Sequence, residues 1–275
     1  MNDRIKRVTA AFSAAVATIE NDSQISMAGR PAGRIDGHLV GILIVSAVVL
    51  SFLEYYGASN HWQALSKPLG LFVDDPNAIL NPIFRQGEYS RLARLAYWSA
   101  TTFVGYLIVP VLYIKLVMRR SLLDFGFSLA GAFKHWWIYV GLYLLVMPAV
   151  YIVSHTESFQ RTYPFYEFAQ RSPFDFFAWQ LVYAAQFLAL EFFYRGFLIH
   201  GLKHRFGVYA ILVSTIPYCM IHFGKPLPET LGAIIAGVAL GGLALYTRTI
   251  WLGVAIHISV AVSMDALSLL NQGKI

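Results

Sequence analysis

Four ionisable side chains near the C-terminal end of the chain have the types and spacing needed for joint chemistry. Glu191 and Arg195 lie four residues apart inside an apolar run, and residues at that spacing share one face of a helix. His222 and His257 lie in apolar runs further along the chain. Ionisable groups are costly to place in hydrocarbon, so they mark a functional site by default. A carboxylate, a guanidinium and two imidazoles suit hydrolysis, which needs a base for water and donors for the developing negative charge.

The composition indicates which elements must position these groups. Hydrophobic residues make up 57% of the chain and charged residues 13%, and the mean hydropathy is +0.56. Soluble domains are less apolar and more charged than this. Seven apolar runs approach the roughly 20 residues that a bilayer requires. They cover residues 38–55, 97–117, 136–154, 174–200, 208–222, 230–246 and 250–270. We therefore predict an all-α, polytopic membrane helical bundle of about seven to eight transmembrane helices with a polar intramembrane cavity.

Basic residues between the apolar runs predict the orientation of this bundle. Lysines and arginines cluster at residues 115–134, at residues 203–205 and at residue 248. These clusters fall on one side if the spans alternate, and the positive-inside rule makes that side cytoplasmic. The N-terminus is then cytoplasmic and the C-terminus lies outside, unless an eighth segment reverses it. The same clusters account for the formal charge of +6, so we expect a lipid bilayer as partner and no nucleic acid.

The chain divides into a polar cytoplasmic N-terminal tail, residues 1–36, and a transmembrane domain, residues 37–275. A basic start followed by a weakly apolar stretch resembles a signal peptide, but acidic residues follow where a cleavage site would stand. The loop at residues 57–95 is expected to pack on the outer face. The single cysteine, Cys219, allows neither a disulfide framework nor a thiolate zinc cluster.

The depth of the ionisable groups favours a shared site. At 1.5 Å per residue, Glu191, His222 and His257 lie ~16, ~22 and ~12 Å from the cytoplasmic ends of their helices. A random scatter of polar residues would not reach such similar levels. We therefore expect the three side chains to surround one water-filled cavity that opens towards the cytoplasm.

The motifs that contain these residues resemble those of a known family. The segments Glu191–Gly196 (Glu-Phe-Phe-Tyr-Arg-Gly) and Tyr218–His222 (Tyr-Cys-Met-Ile-His), followed by His257, are similar in order and spacing to motifs of the CAAX protease and bacteriocin-processing (CPBP or Abi) family. This family consists of glutamate-dependent intramembrane proteases and includes the type II CAAX prenyl endopeptidases. The resemblance covers residues 174–265, within a catalytic core expected at about 174–270.

The resemblance implies an activity, a location and a role for each motif residue. It implies an intramembrane endopeptidase, in the plasma membrane of a prokaryote, that hydrolyses a peptide bond of a membrane-associated protein or peptide. Glu191 and His222 would activate water, and His257 would donate to the developing oxyanion. Arg195 would hold the Glu191 carboxylate in place. The family works without a metal, so the resemblance implies no cofactor.

The chain departs from the family pattern at three positions, of which the mildest is Tyr218, where the second motif normally has phenylalanine four residues before its histidine. The family has two adjacent glutamates, and the first is usually assigned as the base; here Leu190 takes its place and Glu191 remains. The third motif normally has Asn or Asp four residues after its histidine, where this chain has Ala261. Asp265, further along the His257 helix, and Glu229, seven residues after His222, are the candidate replacement carboxylates.

Other interpretations of the same residues stay open. Glu191 and Arg195 fit a structural ion pair as well as a catalytic one. Leu190 favours a catalytically inactive relative that binds peptides, for example in self-immunity. A small proton-coupled transporter would use the same carboxylate and histidines as a relay, but no internal repeat supports it. Two histidines and a glutamate also match a catalytic zinc site, although no His-Glu-x-x-His spacing occurs. The sequence carries no signal for an oligomeric state.

Overall fold

The computed structural model of the chain describes residues 3–29, 35–130 and 132–274. Within these residues the backbone forms helices and connecting turns, without a β-strand, which confirms the all-α prediction. The α-helices are, in chain order, α1 (Asp3–Ala28), α2 (Gly37–Phe52), α3 (Ser66–Leu69), α4 (Pro76–Asn81), α5 (Ser90–Phe103), α6 (Val109–Leu112), α7 (Trp136–Ser154), α8 (Glu157–Thr162), α9 (Pro173–Glu191), α10 (Gly201–Phe206), α11 (Ala210–Met220), α12 (Leu227–Thr247) and α13 (Trp251–Asn271).

Shorter helical segments continue or connect these α-helices. The π-helical segments are Leu53–Gly57, Pro82–Gln86, Val104–Ile108, Tyr113–Met118 and Phe192–His200. The 3₁₀-helical segments are His61–Leu65, Leu122–Phe125, Ala132–His135 and Gly207–Tyr209. The π segment Phe192–His200 begins directly after Glu191, and such segments are frequent at functional sites.

Among the described residues, six helical stretches are long and apolar enough to cross a membrane. They are Gly37–Gly57, Ser90–Met118, Ala132–Ser154, Pro173–Met220, Leu227–Thr247 and Trp251–Asn271. The chain is thus a multi-pass integral membrane protein with the predicted bundle architecture. Counted as continuous helical stretches, the candidate spans are slightly fewer than the seven to eight predicted. The sequence pattern divides residues 173–220 into two spans, whereas the backbone stays helical throughout that stretch.

The Pro173–Met220 stretch nevertheless turns back on itself. Its 48 residues would extend ~72 Å as one straight α-helix, more than twice the ~30 Å hydrocarbon core. The Ser214 hydroxyl donates a hydrogen bond to the Tyr194 carbonyl at 2.8 Å, although a straight helix would separate these residues by ~30 Å. The reversal lies at Gly207, whose φ of +54° favours glycine. Helix α11 therefore packs against the π segment that follows Glu191.

The N-terminal segment predicted as a polar tail contains helix α1, which packs against α10 and α12. The Glu20 carboxylate accepts a hydrogen bond from the Val208 backbone N–H at 2.7 Å, so α1 is anchored at the Gly207 turn. Residues 1–2 and 30–34 of the predicted tail lie outside the described residues. The cytoplasmic location of the segment stays a prediction.

The chain forms two compact units. The first consists of Met1–Ser46, Pro110–Leu142 and Glu191–Ile256, and the second of Ala47–Val109, Tyr143–Leu190 and His257–Ile275. Helices α2, α6, α7, α9 and α13 contribute residues to both.

Close packing of α11 on α12 organises the first unit. A Cβ atom added at Gly237 would lie 2.8 Å from Thr215 Cγ2, and one at Gly241 would lie 3.0 Å from Ile211 Cγ2. Small residues allow membrane helices to approach closely, which increases van der Waals contact where lipid provides no hydrophobic drive. These glycines therefore bring α12 against the helix that leads to His222.

Two clusters of buried hydrophobic side chains form the core of the second unit. The larger comprises Leu92, Leu95, Tyr166, Ala169, Trp179, Tyr183, Phe187, Ala261 and Leu269. The smaller comprises Trp62, Leu80, Phe84 and Tyr97, and it joins the segment predicted as a long loop to helix α5. That segment contains α3, α4 and two shorter helical stretches. The Tyr97 hydroxyl also donates to the Tyr56 carbonyl at 2.6 Å.

Candidate active site

Glu191 and Arg195 form a buried ion pair. Glu191 ends α9 and Arg195 lies in the following π segment, and their Oε2 and Nε atoms are 3.5 Å apart. The side chains are 0% and 1% exposed, so the pairing predicted from the four-residue spacing is confirmed. Removing one partner of a buried pair costs about 3–5 kcal/mol, because it leaves the other charge uncompensated. The pair therefore places a carboxylate inside the membrane domain in a fixed position.

Gly253 in α13 provides space for the Glu191 carboxylate. A Cβ atom built on Gly253 would lie 2.7 Å from Glu191 Oε2, closer than ordinary van der Waals contact. The backbone of α13 therefore approaches the carboxylate more closely than any residue with a side chain would allow. Sequence reasoning missed this residue, since a glycine in an apolar run carries no chemical signal of its own.

Tyr218 connects Arg195 to His222. The Arg195 guanidinium carbon lies 4.1 Å from the centroid of the Tyr218 ring, within the range of a cation–π contact. The Tyr218 and His222 ring centroids are 4.9 Å apart with their planes inclined at 64°. Tyr194, in the π segment Phe192–His200, packs edge-on against the Tyr218 ring. Tyr218 thus contacts both the arginine of the first motif and the histidine of the second.

The hydrogen bond of His222 defines the chemistry of its neutral ring. Its Nδ1 atom lies 2.8 Å from the Tyr218 backbone carbonyl. A carbonyl only accepts hydrogen bonds, so Nδ1 carries the proton. In the neutral imidazole this leaves the lone pair on Nε2, where it can accept a proton or a hydrogen bond. His222 is buried, and its orientation is set by the backbone of its own helix.

The end of α11 and the start of α12 hold the His222 backbone. The His222 N–H donates to the Cys219 carbonyl at 3.0 Å, and the His222 carbonyl accepts from the Thr230 hydroxyl at 2.9 Å. Pro226 then precedes α12 as its N-cap. The turn after Met220 is therefore tied to the first helical turn of α12, which fixes the histidine at the helix end.

Glu229 lies in the same unit and forms an ion pair with Lys225. The Lys225 Nζ and Glu229 Oε1 atoms are 2.7 Å apart, and both side chains are partly buried. Glu229 also occupies the first turn of α12, where the helix dipole favours negative charge. Its role as a replacement base stays a prediction.

His257 and Asp265 belong to the second unit. The His257 ring stacks on Phe187 with centroids 4.5 Å apart. Asp265 is 1% exposed; its Oδ2 atom accepts from Trp179 Nε1 at 2.7 Å and from Gln180 Nε2 at 3.5 Å. The structure thus anchors Asp265 to α9, a contact that sequence reasoning missed because a tryptophan in an apolar run does not signal a buried donor. That Asp265 orients His257, and that His257 shares a cavity with Glu191, stay predictions.

The two family positions that lack their polar residue are filled by buried apolar side chains. Leu190 is buried in α9, and Ala261 is buried in the core of the second unit. Among the described residues, no three His, Cys, Asp or Glu side chains form a group that could hold a metal ion. Metal-independent chemistry stays a prediction.

The part of the chain that contains these residues is similar to a known protein family. No curated protein and no solved structure matches the chain. Residues 172–263, about a third of the chain, match the family model described as type II CAAX prenyl endopeptidase Rce1-like. The matched segment contains the ion pair, both histidines and Gly253, and it agrees closely with the range expected from the motifs. The match confirms that this part of the chain is similar to the type II CAAX prenyl endopeptidases of the CPBP family.

Proposed function

We propose that this protein is an intramembrane endopeptidase that hydrolyses a peptide bond of a membrane-associated protein or peptide. The family match over residues 172–263 supports the reaction class. The observation that carries the proposal is the fully buried Glu191–Arg195 pair inside a helix long and apolar enough to span a membrane. A carboxylate is expensive to retain at such a position, so its presence is best explained by a reaction that uses it.

In the proposed reaction, the Glu191 carboxylate accepts a proton from a water molecule as the water oxygen attacks the scissile carbonyl carbon. His222, whose neutral ring has its lone pair on Nε2, accepts a hydrogen bond from the same water. His257 donates to the carbonyl oxygen as it becomes an oxyanion. The tetrahedral intermediate collapses, the C–N bond breaks, and the proton held by Glu191 passes to the leaving amine. Water is thereby divided between a new carboxylate and a new amine.

The remaining residues of the proposed site act through these groups. Arg195 holds the Glu191 carboxylate, and Tyr218 holds the Arg195 guanidinium through its ring face. We assign Asp265 and Glu229 supporting roles, as orienting or replacement carboxylates. The reaction requires no cofactor and no metal, and the substrate reaches the site from the bilayer. The plasma membrane of a prokaryote is the proposed location.

The buried Leu190 favours a second function, that of a non-catalytic relative that binds such peptides. The first glutamate of the family motif is absent, and the leucine is packed as an ordinary apolar side chain. In this case peptides would bind to the site and leave it uncleaved.

The experiment that separates the two functions measures hydrolysis directly. The purified protein in liposomes is incubated with prenylated peptides ending in Cys-aliphatic-aliphatic-X, in water enriched in ¹⁸O. We expect cleavage with one ¹⁸O atom in the new carboxylate. Peptide binding without cleavage in the wild type, together with cleavage by Leu190→Glu, would establish the inactive relative instead.

A further inference from the structure

A cavity of about 400 Å³ lies within the first unit, and none of the candidate catalytic residues lines it. Helix α1 forms one wall through Ala15, Thr18, Ile19 and Asp22, whose spacing puts them on one helix face. The charged side chains that line it are Asp22, Arg120, Asp124, Lys203 and Arg248.

The cations of this cavity come from three separate segments and lie at or near helix ends. Arg120 follows the candidate span Ser90–Met118 by two residues, and Arg248 directly follows the span Leu227–Thr247. Lys203 lies in α10, close to the reversal at Gly207. The same basic residues predict the cytoplasmic side of the bundle. The cavity is therefore at the level where lipid headgroups meet the protein.

Two of the three cations have no carboxylate partner. Arg120 Nε lies 3.4 Å from Asp124 Oδ2, so this arginine is paired. Lys203 Nζ lies 3.1 Å from His200 Nδ1, and since an ammonium group only donates, the imidazole accepts this bond. Asp124 and Asp22 act on the lysine charge only from beyond ion-pair distance. Among the described residues, neither Lys203 nor Arg248 forms an ion pair. The cavity thus contains positive charge that a bound anion would neutralise.

The backbone of Arg248 has an uncommon conformation. Arg248 has a φ of +55° in the left-handed region, where a bulky side chain is an outlier and a helix end usually has glycine. Strain of this kind costs on the order of 1–3 kcal/mol and is concentrated at ligand-binding and active sites. Arg248 combines this conformation with a position that lines the cavity.

We propose that this cavity binds the phosphate-containing headgroup of an anionic lipid. Lys203 and Arg248 would contact the phosphate oxygens, as basic pockets between membrane helices do for anionic headgroups. The carboxylates of Asp22 and Asp124 would accept hydrogen bonds from headgroup hydroxyls, which suits a phosphoglycerol group better than a bare phosphate. The apolar side chains of Ile19, Leu123 and Leu245 provide a surface for the start of the acyl chains. This inference is independent of the protease function.

Arg119 provides a matched control for the test. It has the same residue type, a φ of +53° and the same position directly after a helix end, but it does not line the cavity. Asparagine tolerates the left-handed conformation. Arg248→Asn and Arg119→Asn therefore each remove one positive charge and can keep the backbone conformation.

The experiment titrates phosphatidylglycerol into the purified full-length protein in phosphatidylcholine micelles and follows thermal unfolding. We expect phosphatidylglycerol to raise the Tm of the wild type and Arg119→Asn equally, with Arg248→Asn requiring about fivefold more lipid. Lys203→Gln should behave like Arg248→Asn, and Arg205→Gln on the same helix should behave like the wild type.

The same titration with inorganic phosphate and with glycerol 3-phosphate shows whether the bound anion is a lipid headgroup or a soluble phosphate. If either protects the wild type as well as the lipid does, and Arg248→Asn reduces that protection, the anion site is supported with a soluble phosphate as its ligand. The proposal is overturned if phosphatidylglycerol does not stabilise the wild type, or if Arg248→Asn, Lys203→Gln and their two controls respond alike.

Discussion

At the scale of single residues, the site depends on contacts that fix one carboxylate. The Glu191–Arg195 pair follows from local spacing, so it is readable from the sequence. Gly253 and the link through Tyr218 are contacts between residues far apart in the chain, and no local pattern encodes them. The proposed chemistry therefore has a predictable part, the ionisable groups, and an unpredictable part, the side chains that position them.

Gly253→Ala tests whether the space beside the carboxylate matters. The added methyl group would lie 2.7 Å from Glu191 Oε2, so the carboxylate must move. Because misplacing a reacting group by about 1 Å can cost ~10²-fold, we expect kcat of peptide cleavage to fall by about that factor. The measurement is kcat together with circular dichroism. An active, fully folded variant would show that the position of this carboxylate is not critical.

Tyr218→Phe and Tyr218→Leu separate the ring from the hydroxyl. Phenylalanine keeps the face that contacts Arg195, whereas leucine removes it; such a contact contributes about 0.5–2 kcal/mol. We expect Tyr218→Phe to unfold near the wild-type Tm and Tyr218→Leu to unfold at a lower temperature. The measurement is thermal unfolding in neutral detergent. Equal destabilisation by both substitutions would assign the role to the hydroxyl.

At the scale of elements, the reversal at Gly207 is the feature that the sequence pattern does not specify. The apolar runs at 174–200 and 208–222 are read as two spans, because the polar residues between them resemble a loop. In the structure those residues form α10 and a 3₁₀ segment. The same polar residues would be expected in a loop or in an exposed helix, so the sequence does not distinguish the two. Helix α11, which leads to His222, packs against the π segment Phe192–His200 and against α12, where Gly237 and Gly241 allow a close approach.

Gly237→Ala and Gly232→Ala test this packing with the same substitution in one helix. A methyl group at Gly237 would lie 2.8 Å from Thr215, whereas at Gly232 nothing lies within 4 Å. We expect Gly237→Ala to lower the Tm, and Gly232→Ala to leave it unchanged or raise it, since alanine favours helix by about 1 kcal/mol. Thermal unfolding of both variants measures the difference. A tolerated Gly237→Ala would contradict the close approach of α11 and α12.

At the scale of the whole molecule, composition alone predicts a polytopic helical bundle, and six candidate spans agree with it. The length of an apolar run shows whether it can cross the bilayer, so membrane-spanning segments are well predicted from the sequence. Apolar composition carries no information on whether a polar interruption ends a helix, so the sequence indicates two spans where the structure has one continuous helical stretch that reverses at Gly207.

The metal-free mechanism predicts how the intact protein responds to chelators. Because Glu191 and His222 are proposed to activate water without a Lewis acid, dialysis against EDTA or phenanthroline should leave the cleavage rate unchanged. Zinc added to the dialysed protein should have no effect. Loss of activity on dialysis, with recovery on adding stoichiometric zinc, would replace this mechanism with a metal-dependent one.

We propose that the buried Glu191 carboxylate is the base of the reaction. The most direct test compares the cleavage rate of Glu191→Gln with that of Glu229→Gln and Asp265→Asn, all in the same liposome assay. The amide keeps the shape of the side chain but cannot accept the proton. We expect Glu191→Gln to reduce kcat by about 10²–10⁴-fold, with the other two variants affected less. Full activity in Glu191→Gln, together with loss of activity in Glu229→Gln or Asp265→Asn, would contradict the claim and assign the base to that carboxylate.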